Sequence, residues 1–392
     1  MQPSPAATRL VRDWARAALR SEGGHGPGPV ERTSLPTDDV LAAIRRQRLI
    51  DLLAMNADSI DLPGEVSGPL AGLRTGARRA LMVQVLELAR VGSLFDEAGV
   101  PWLSIKGPAL AVQTTGDLSA RGSGDLDVFV HPSSVESVYH LLNDRGWIVR
   151  PVGSGEPDSW AWHHILSSFN EMTFDGRSST IDLHWRLDPT HSALPDFEDS
   201  WARRTSIDVA DISVETLGLG DAFSHTCHHA MKDDWRWLRS LVDIHRLARR
   251  SEVCDARPLN RIDETALAVT DACVGLPEGV HPTVRDQGGR AVHRAIAAQG
   301  RPTVAAFPFP AAQSFRDARY RVRASHQPAD LGRTAIALVI PAKAVADLPD
   351  HSARTAIPRV LARRVGWLVR RVVAWIRREP GASVVQPSSR SR

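Results

Sequence analysis

The stretch Gly124-Asp125-Leu126-Asp127-Val128-Phe129-Val130 constrains this chain more than any other. Two carboxylates two residues apart, with apolar residues between and after them, describe a β-strand whose side chains alternate between faces. Asp125 and Asp127 then point the same way. Like charges side by side cost free energy unless a cation lies between them. A second alternating run, Thr180-Ile181-Asp182-Leu183-His184-Trp185, offers a third carboxylate, with His184 and Arg186 on the same strand face as Asp182. Three acids on two neighbouring strands describe a two-metal site that acts on phosphates.

The 392 residues leave room for about two or three domains. No apolar run approaches the roughly 20 residues needed to span a bilayer, and Arg9, Arg12, Asp13 and Arg16 interrupt any signal-peptide core. Three cysteines, Cys227, Cys254 and Cys273, are too few for a disulfide framework. The expectation is a reduced, cytoplasmic protein. The net charge of +3 conceals an asymmetry: eight arginines fall between Arg354 and Arg378 with no acid among them, and without those eight the balance is −5. Lysine is nearly absent, with only Lys106, Lys232 and Lys343.

The first 36 residues are rich in Gly and Pro after Leu19 and are expected to be flexible. Residues 37–99 follow a helical pattern, with Leu81, Val85, Leu88 and Val91 spaced as a buried face and Gly99 as a stop. Residues 100–210 alternate short strands and helices. They comprise a strand over Val100–Ile105, a turn at Lys106-Gly107-Pro108, the Asp125/Asp127 strand, a helix through Val138, and a strand pair over Ile165–Phe174 and Ser179–Leu187. This predicts an α+β core with a mixed sheet. A helical domain follows over 211–300, with one long amphipathic helix from His225 to Arg250 that turns Trp235, Leu238, Leu241 and Val242 inward. Prolines at 302, 308, 310 and 328 predict an irregular connection over 301–353. A basic amphipathic helix is expected over 354–379, then a flexible tail over 380–392.

Around the acids, each residue type suits one task. Gly107 leaves backbone bare just before a helix N-terminus, where free N–H groups favour phosphate. Lys106 and Arg121 can neutralise a triphosphate. Asp182 can ligate a cation and accept a proton from an attacking hydroxyl.

With these motifs the chain resembles the polymerase-β-type nucleotidyltransferase superfamily, and within it the family of uncharacterised nucleotidyltransferases. The resemblance rests on Ile105-Lys106-Gly107, on Arg121-Gly122-Ser123-Gly124-Asp125-Leu126-Asp127 and on Ile181-Asp182-Leu183-His184-Trp185. In the helical half it rests on His229-Ala230, Trp235, Leu238 and Val242-Asp243-Ile244. It spans roughly residues 80–250. It implies a polymerase-β-like core flanked by helical N- and C-terminal regions, and transfer of a nucleoside monophosphate from a nucleoside triphosphate with release of pyrophosphate. Two Mg2+ ions are expected on Asp125, Asp127 and Asp182, since carboxylates and phosphates are hard oxygen ligands. Lys106, Gly107, Arg121, Ser123 and His184 are expected to bind the nucleotide. Pro108 stands where the superfamily usually has Ser, and Ser123 is the candidate replacement.

The rival is a catalytically degenerate fold that binds nucleotides or docks partners. The acceptor is unspecified; a small molecule or protein is favoured over nucleic acid, because the core shows no basic stripe with interleaved aromatics. Residues 354–378 suit docking on the chain's own acidic surface, an acidic partner, the periphery of a membrane, or an approach to nucleic acid. His225, Cys227, His228 and His229 lack the spacing of a zinc site. His229 and Asp243 are expected to join helices through hydrogen bonds or to face the nucleotide.

Overall fold

The structure is a computed structural model that describes residues 2–26, 34–150, 159–250, 258–282, 285–301 and 310–341, with isolated positions between and beyond these segments. Helix α1 spans Pro5–Glu22. The Ser4 hydroxyl caps it by accepting from the Ala7 N–H at 3.1 Å, and Pro5 opens its first turn. Leu10, Val11, Trp14 and Ala18 are buried. The flexible segment expected over residues 1–36 is therefore corrected: Arg9, Arg12 and Arg16 interrupt the apolar run along the chain, but a 3.6-residue period sends them to another face.

Helix α2 (Thr37–Gln47) and the short α3 (Ile50–Met55) follow, joined through Arg48 in a left-handed turn. Buried Gln47 is satisfied at both ends. Its amide nitrogen donates to the Gln299 carbonyl, and its oxygen accepts the Leu238 N–H at 2.9 Å. Helix α4 (Gly64–Glu97) joins two cores. Val66 and Leu70 pack with the helical half, whereas Leu81, Val85, Leu88 and Val91, the expected buried face, pack against the sheet.

The sheet contains β1 (Trp102–Ser104), β2 (Leu126–Val130), β3 (Ile148–Val149), β4 (Glu171–Asp175) and β5 (Thr180–His184), in the order β1-β2-β5-β4-β3. Only β2 and β5 pair in parallel. Helices α5 (Gly107–Thr115), α6 (Val135–Asp144) and α7 (Trp160–Ser168) lie between these strands in sequence. The expected strand from Ile165 is thus shorter. Ser159 caps α7 by accepting from Trp162 N–H, so Ile165 is helical and β4 begins at Glu171.

Helix α8 (Phe197–Ala202) leads into a hairpin of β6 (Thr205–Val209) and β7 (Ile212–Thr216). The hairpin straddles the expected boundary at 210/211, and the Thr216 hydroxyl ties it to the Ser104 carbonyl at 2.6 Å. The long helix expected from His225 is two: α9 (Leu219–Lys232) and α10 (Leu238–Ala248), separated by a turn with Asp234 and Trp235 at positive φ. Trp235, Leu238, Leu241 and Val242 are buried as expected. Helices α11 (Arg261–Val274) and α12 (Arg285–Gln299) complete the expected helical region.

Beyond it, α13 (Pro310–Ala324) and α14 (Pro328–Val339) replace the expected irregular connection. Pro310 and Pro328 stand at helix starts, where a missing N–H costs nothing. Tyr320 anchors α13: its hydroxyl donates to buried Asp188, and His228 Nδ1 lies 3.0 Å from the same oxygen. Among the described residues no helix is long and apolar enough to cross a membrane. Of the expected basic C-terminal helix, residues 357–363 are helical, with Val360 packed on Ala161. Residues 356, 364 and 367–392 lie outside the described residues, and with them Trp367, Trp375 and the later arginines.

Candidate active site

The parallel pairing of β2 with β5 sets Asp127 directly beside Asp182. Paired residues on neighbouring strands share a face, so this register unites the acids that alternation placed on each strand. Asp125 precedes β2 by one residue and lines the same cleft, together with Lys106, Arg121, Ser123 and Asp182. The cleft is lined mainly by charged and polar side chains and opens to solvent.

Each carboxylate has a different environment. Asp125 is half-buried, and among the described residues no hydrogen bond reaches its carboxylate. Asp127 is buried, and its Oδ1 receives Lys106 Nζ at 2.9 Å and His184 Nε2 at 3.1 Å. Burial opposes its charge, but the ammonium and the imidazole more than offset that and hold the carboxyl well below the usual range. Asp182 goes the other way. Burial, then the Glu171 and Asp127 carboxylates, raise it to about 6 against a hydrogen bond from the Thr173 hydroxyl at 2.6 Å. His184 is buried and joins two acids, since its Nδ1 lies 3.3 Å from Glu171. It is held inside this network and does not line the cleft.

Gly107 opens α5 at φ +57°, and a Cβ there would stand 3.1 Å from Ser123 Oγ. The Ser123 hydroxyl in turn donates to the Asp125 carbonyl at 3.0 Å and shapes the loop that carries the acids. Gly107→Ala is expected to destabilise the protein by about 1–2 kcal/mol, from the left-handed backbone plus this crowding. A denaturant midpoint equal to the wild type would remove the need for glycine.

Arg121, expected to meet phosphate, is committed elsewhere. Its Nε donates to both carboxylate oxygens of Asp243, at 3.0 and 2.9 Å, with both side chains buried. The pair fastens the loop before β2 to α10. Asp243 thus joins elements as expected, but through Arg121; His229 lines the cleft and approaches Asp233 at 3.9 Å. Burial, then the Lys106 charge, push His225 and His229 well below ordinary imidazole values, so both are neutral at pH 7.

Further cations come from the helical half. Arg48 and Arg239 line the cleft, and Arg239 donates to the Gly122 carbonyl at 2.8 Å. Burial, then the Arg121 and Arg48 charges, bring Arg239 down to about 9. Nothing local in the sequence marks either arginine. Glu171 did carry a signal, since alternation along β4 sets it on one face with Thr173, the hydrogen-bond partner of Asp182.

The donor set suits a hard divalent cation, because it is made of carboxylate oxygens in a polar cleft. The raised Asp182 carboxyl reports burial first, and then the Glu171 and Asp127 charges beside it. Among the described residues, however, no group of three or more acids, histidines or cysteines is gathered tightly enough to hold a metal. Asp127 is instead turned to Lys106 and His184. His228 is engaged by Tyr320 and Asp188.

Residues 33–268 match the family model described as uncharacterised nucleotidyltransferase. The match runs from just before α2 into α11, and leaves α1 and α12–α14 outside it. No curated protein and no solved structure matches the chain.

Proposed function

The chain belongs to the uncharacterised nucleotidyltransferase family, and from that premise we propose that it moves a nucleoside monophosphate from a nucleoside triphosphate to a nucleophile on its acceptor, releasing pyrophosphate. The observation that carries the reading is the register of Asp127 against Asp182, in one cleft with Asp125. Asp125, Asp127 and Asp182 would hold Mg2+, two ions in the full reading, which supplies Lewis-acid polarisation of the phosphate oxygens and a more acidic attacking hydroxyl.

The chain's own residues do the rest. Lys106, Arg48 and Arg239 carry positive charge on the wall that the triphosphate would meet. The bare backbone at Gly107 and the start of α5 offer N–H groups to a phosphate oxygen. Asp182, with its carboxyl near 6, is ionised at pH 7 and basic enough to take a proton from an attacking hydroxyl. Thr173 and the pairing of β4 with β5 hold that carboxylate in place.

A degenerate, non-transferring fold draws support from one observation: Lys106 and His184 already neutralise Asp127. Calorimetric titration of nucleoside triphosphates with and without Mg2+ separates the readings. Under the enzymatic reading, magnesium-dependent binding is expected in the wild type and is at least about tenfold weaker in Asp125→Asn/Asp127→Asn, a loss of about 1.4 kcal/mol or more. Binding indifferent to magnesium and to the substitutions would favour the degenerate fold.

A further inference from the structure

The chain just before Asp125 is gripped from the helical half. Arg239, Asp243 and Arg246 stand at i, i+4 and i+7 on one face of α10. Arg246 Nη1 donates to the Ala120 carbonyl at 3.0 Å. Asp243 takes the Arg121 guanidinium, whose Nη1 also donates to the Gly107 carbonyl at 3.4 Å. Arg239 donates to the Gly122 carbonyl. From α3, the Asp51 carboxylate accepts the Gly122 N–H, and a Cβ on Gly122 would stand 3.0 Å from Asp51 Oδ2. Three consecutive residues are thus fixed by four buried or half-buried charged side chains, and only Ser123 and Gly124 separate them from Asp125.

Arg246 is the deepest of the gripping cations, with 2% of its side chain exposed. A guanidinium so placed needs a counter-charge. Asp51 is near it, but faces Arg74 and Arg78 more strongly. The close partner comes from α1. Arg246 Nε and Nη2 donate to the two carboxylate oxygens of Glu22 at 3.1 and 2.7 Å. Such a two-point pair fixes the plane of the guanidinium as well as its charge, and the remaining nitrogen is the one that meets Ala120. Glu22 is itself held, since Arg249 donates to its carbonyl at 3.1 Å and the Asn56 amide to its Oε1 at 3.4 Å. Helix α1 ends at Glu22 and precedes the family-matched residues 33–268.

We propose that Glu22 and Arg246 are positioning residues for triphosphate binding: Glu22 fixes the Arg246 guanidinium, Arg246 fixes the Ala120 peptide, and the loop so held presents Asp125 to the cleft. The proposal rests on the nucleotidyltransferase reading above, and it extends the site to a helix outside the matched residues. A misplacement of about 1 Å can cost about 100-fold at a reacting centre, so a slack loop disables the site while the fold persists.

The test uses the full chain. Hydrogen exchange reads the loop, and calorimetry with Mg2+ and each common ribonucleoside triphosphate reads the site, both well below the melting temperature of every variant. Glu22→Ala is expected to exchange faster over residues 118–124, with β2 and β5 unchanged, and to bind triphosphate at least about tenfold more weakly. Glu22→Asp keeps the charge but shortens its reach; it carries the same expectation and serves where Glu22→Ala does not fold. Glu22→Gln keeps an oxygen for Arg246 and should recover most of the affinity. Ser4→Ala removes the cap of α1 and leaves Glu22 in place. It should lower the melting temperature and leave triphosphate affinity as in the wild type.

Wild-type loop exchange and affinity in Glu22→Ala and Glu22→Asp overturn the proposal. Faster exchange over β2 and β5 as well would make Glu22 a general stabiliser and overturns it, as does an equal loss of affinity in Ser4→Ala. Faster loop exchange with unchanged affinity leaves the grip and overturns its role in the site. If the wild type binds no triphosphate in magnesium, the nucleotidyltransferase reading fails and takes the triphosphate role with it, while the exchange of residues 118–124 still decides the grip.

Discussion

Asp182→Asn is expected to abolish transfer and, at the same time, to stabilise the ligand-free protein at neutral pH. Removing a general base typically costs about 10²–10⁴-fold in rate, and loss of a cation-ligating oxygen adds to that. The stability gain follows from the raised carboxyl. Burial beside Glu171 and Asp127 lifts Asp182 from 3.8 to about 6, so folding penalises its ionised form. Below about pH 4 the group is protonated in both folded and unfolded chains, and there is no penalty. Between about 4 and 6 only the unfolded chain ionises, so the penalty grows. Above 6 it is complete, with a ceiling of roughly 3 kcal/mol from about two pKa units. The asparagine oxygen can still accept the Thr173 hydroxyl. Thermal melts at pH 8, 6 and 4 should therefore show the variant more stable at pH 8, less so at 6 and equal at 4. A variant less stable than the wild type at pH 8 would make Asp182 a structural acid.

Arg121→Met is expected to lower stability by about 3–5 kcal/mol, because it leaves the Asp243 carboxylate buried without its main partner. The two side chains are 6% and 3% exposed, too buried for water to replace the bond. Arg121→Met/Asp243→Leu should recover much of the loss, since exchanging both partners for apolar groups removes the stranded charge. Denaturant melts of the single and double variants give the coupling directly. If Arg121 served mainly as a phosphate contact, the single variant would melt like the wild type and lose triphosphate affinity instead. The larger expected effect on stability follows from the geometry, in which both oxygens of Asp243 are engaged by one Nε.

Gly72 and Gly76 lie in the exposed middle of α4, where a Cβ would meet nothing. There the helix passes from one core to the other, so α4 is a strut with few contacts at its centre.

The strand alternation that puts Asp125 and Asp127 to one side, and Asp182 beside Ile181 and Leu183, is a property of local backbone geometry. It could be read from six or seven residues at a time. So could the buried stripe of α4, because a 3.6-residue period needs no partner to be visible. Helix α1 was hidden by its arginines, which break an apolar run along the chain and leave the helical face intact. The split between α9 and α10 was hidden because Asp234 and Trp235 adopt positive φ without a glycine to announce it.

Facing is local, but partnership is not. Alternation states which way Asp127 points; only packing brings Lys106, His184 and Glu171 against the acids and sends the pKa of Asp127 down and that of Asp182 up. Arg121 finds Asp243 across 122 residues, and Arg48 and Arg239 reach the cleft from two separate helical elements. Charge–charge energies depend on distance and burial in three dimensions, and neither is written in the spacing of residues along the chain.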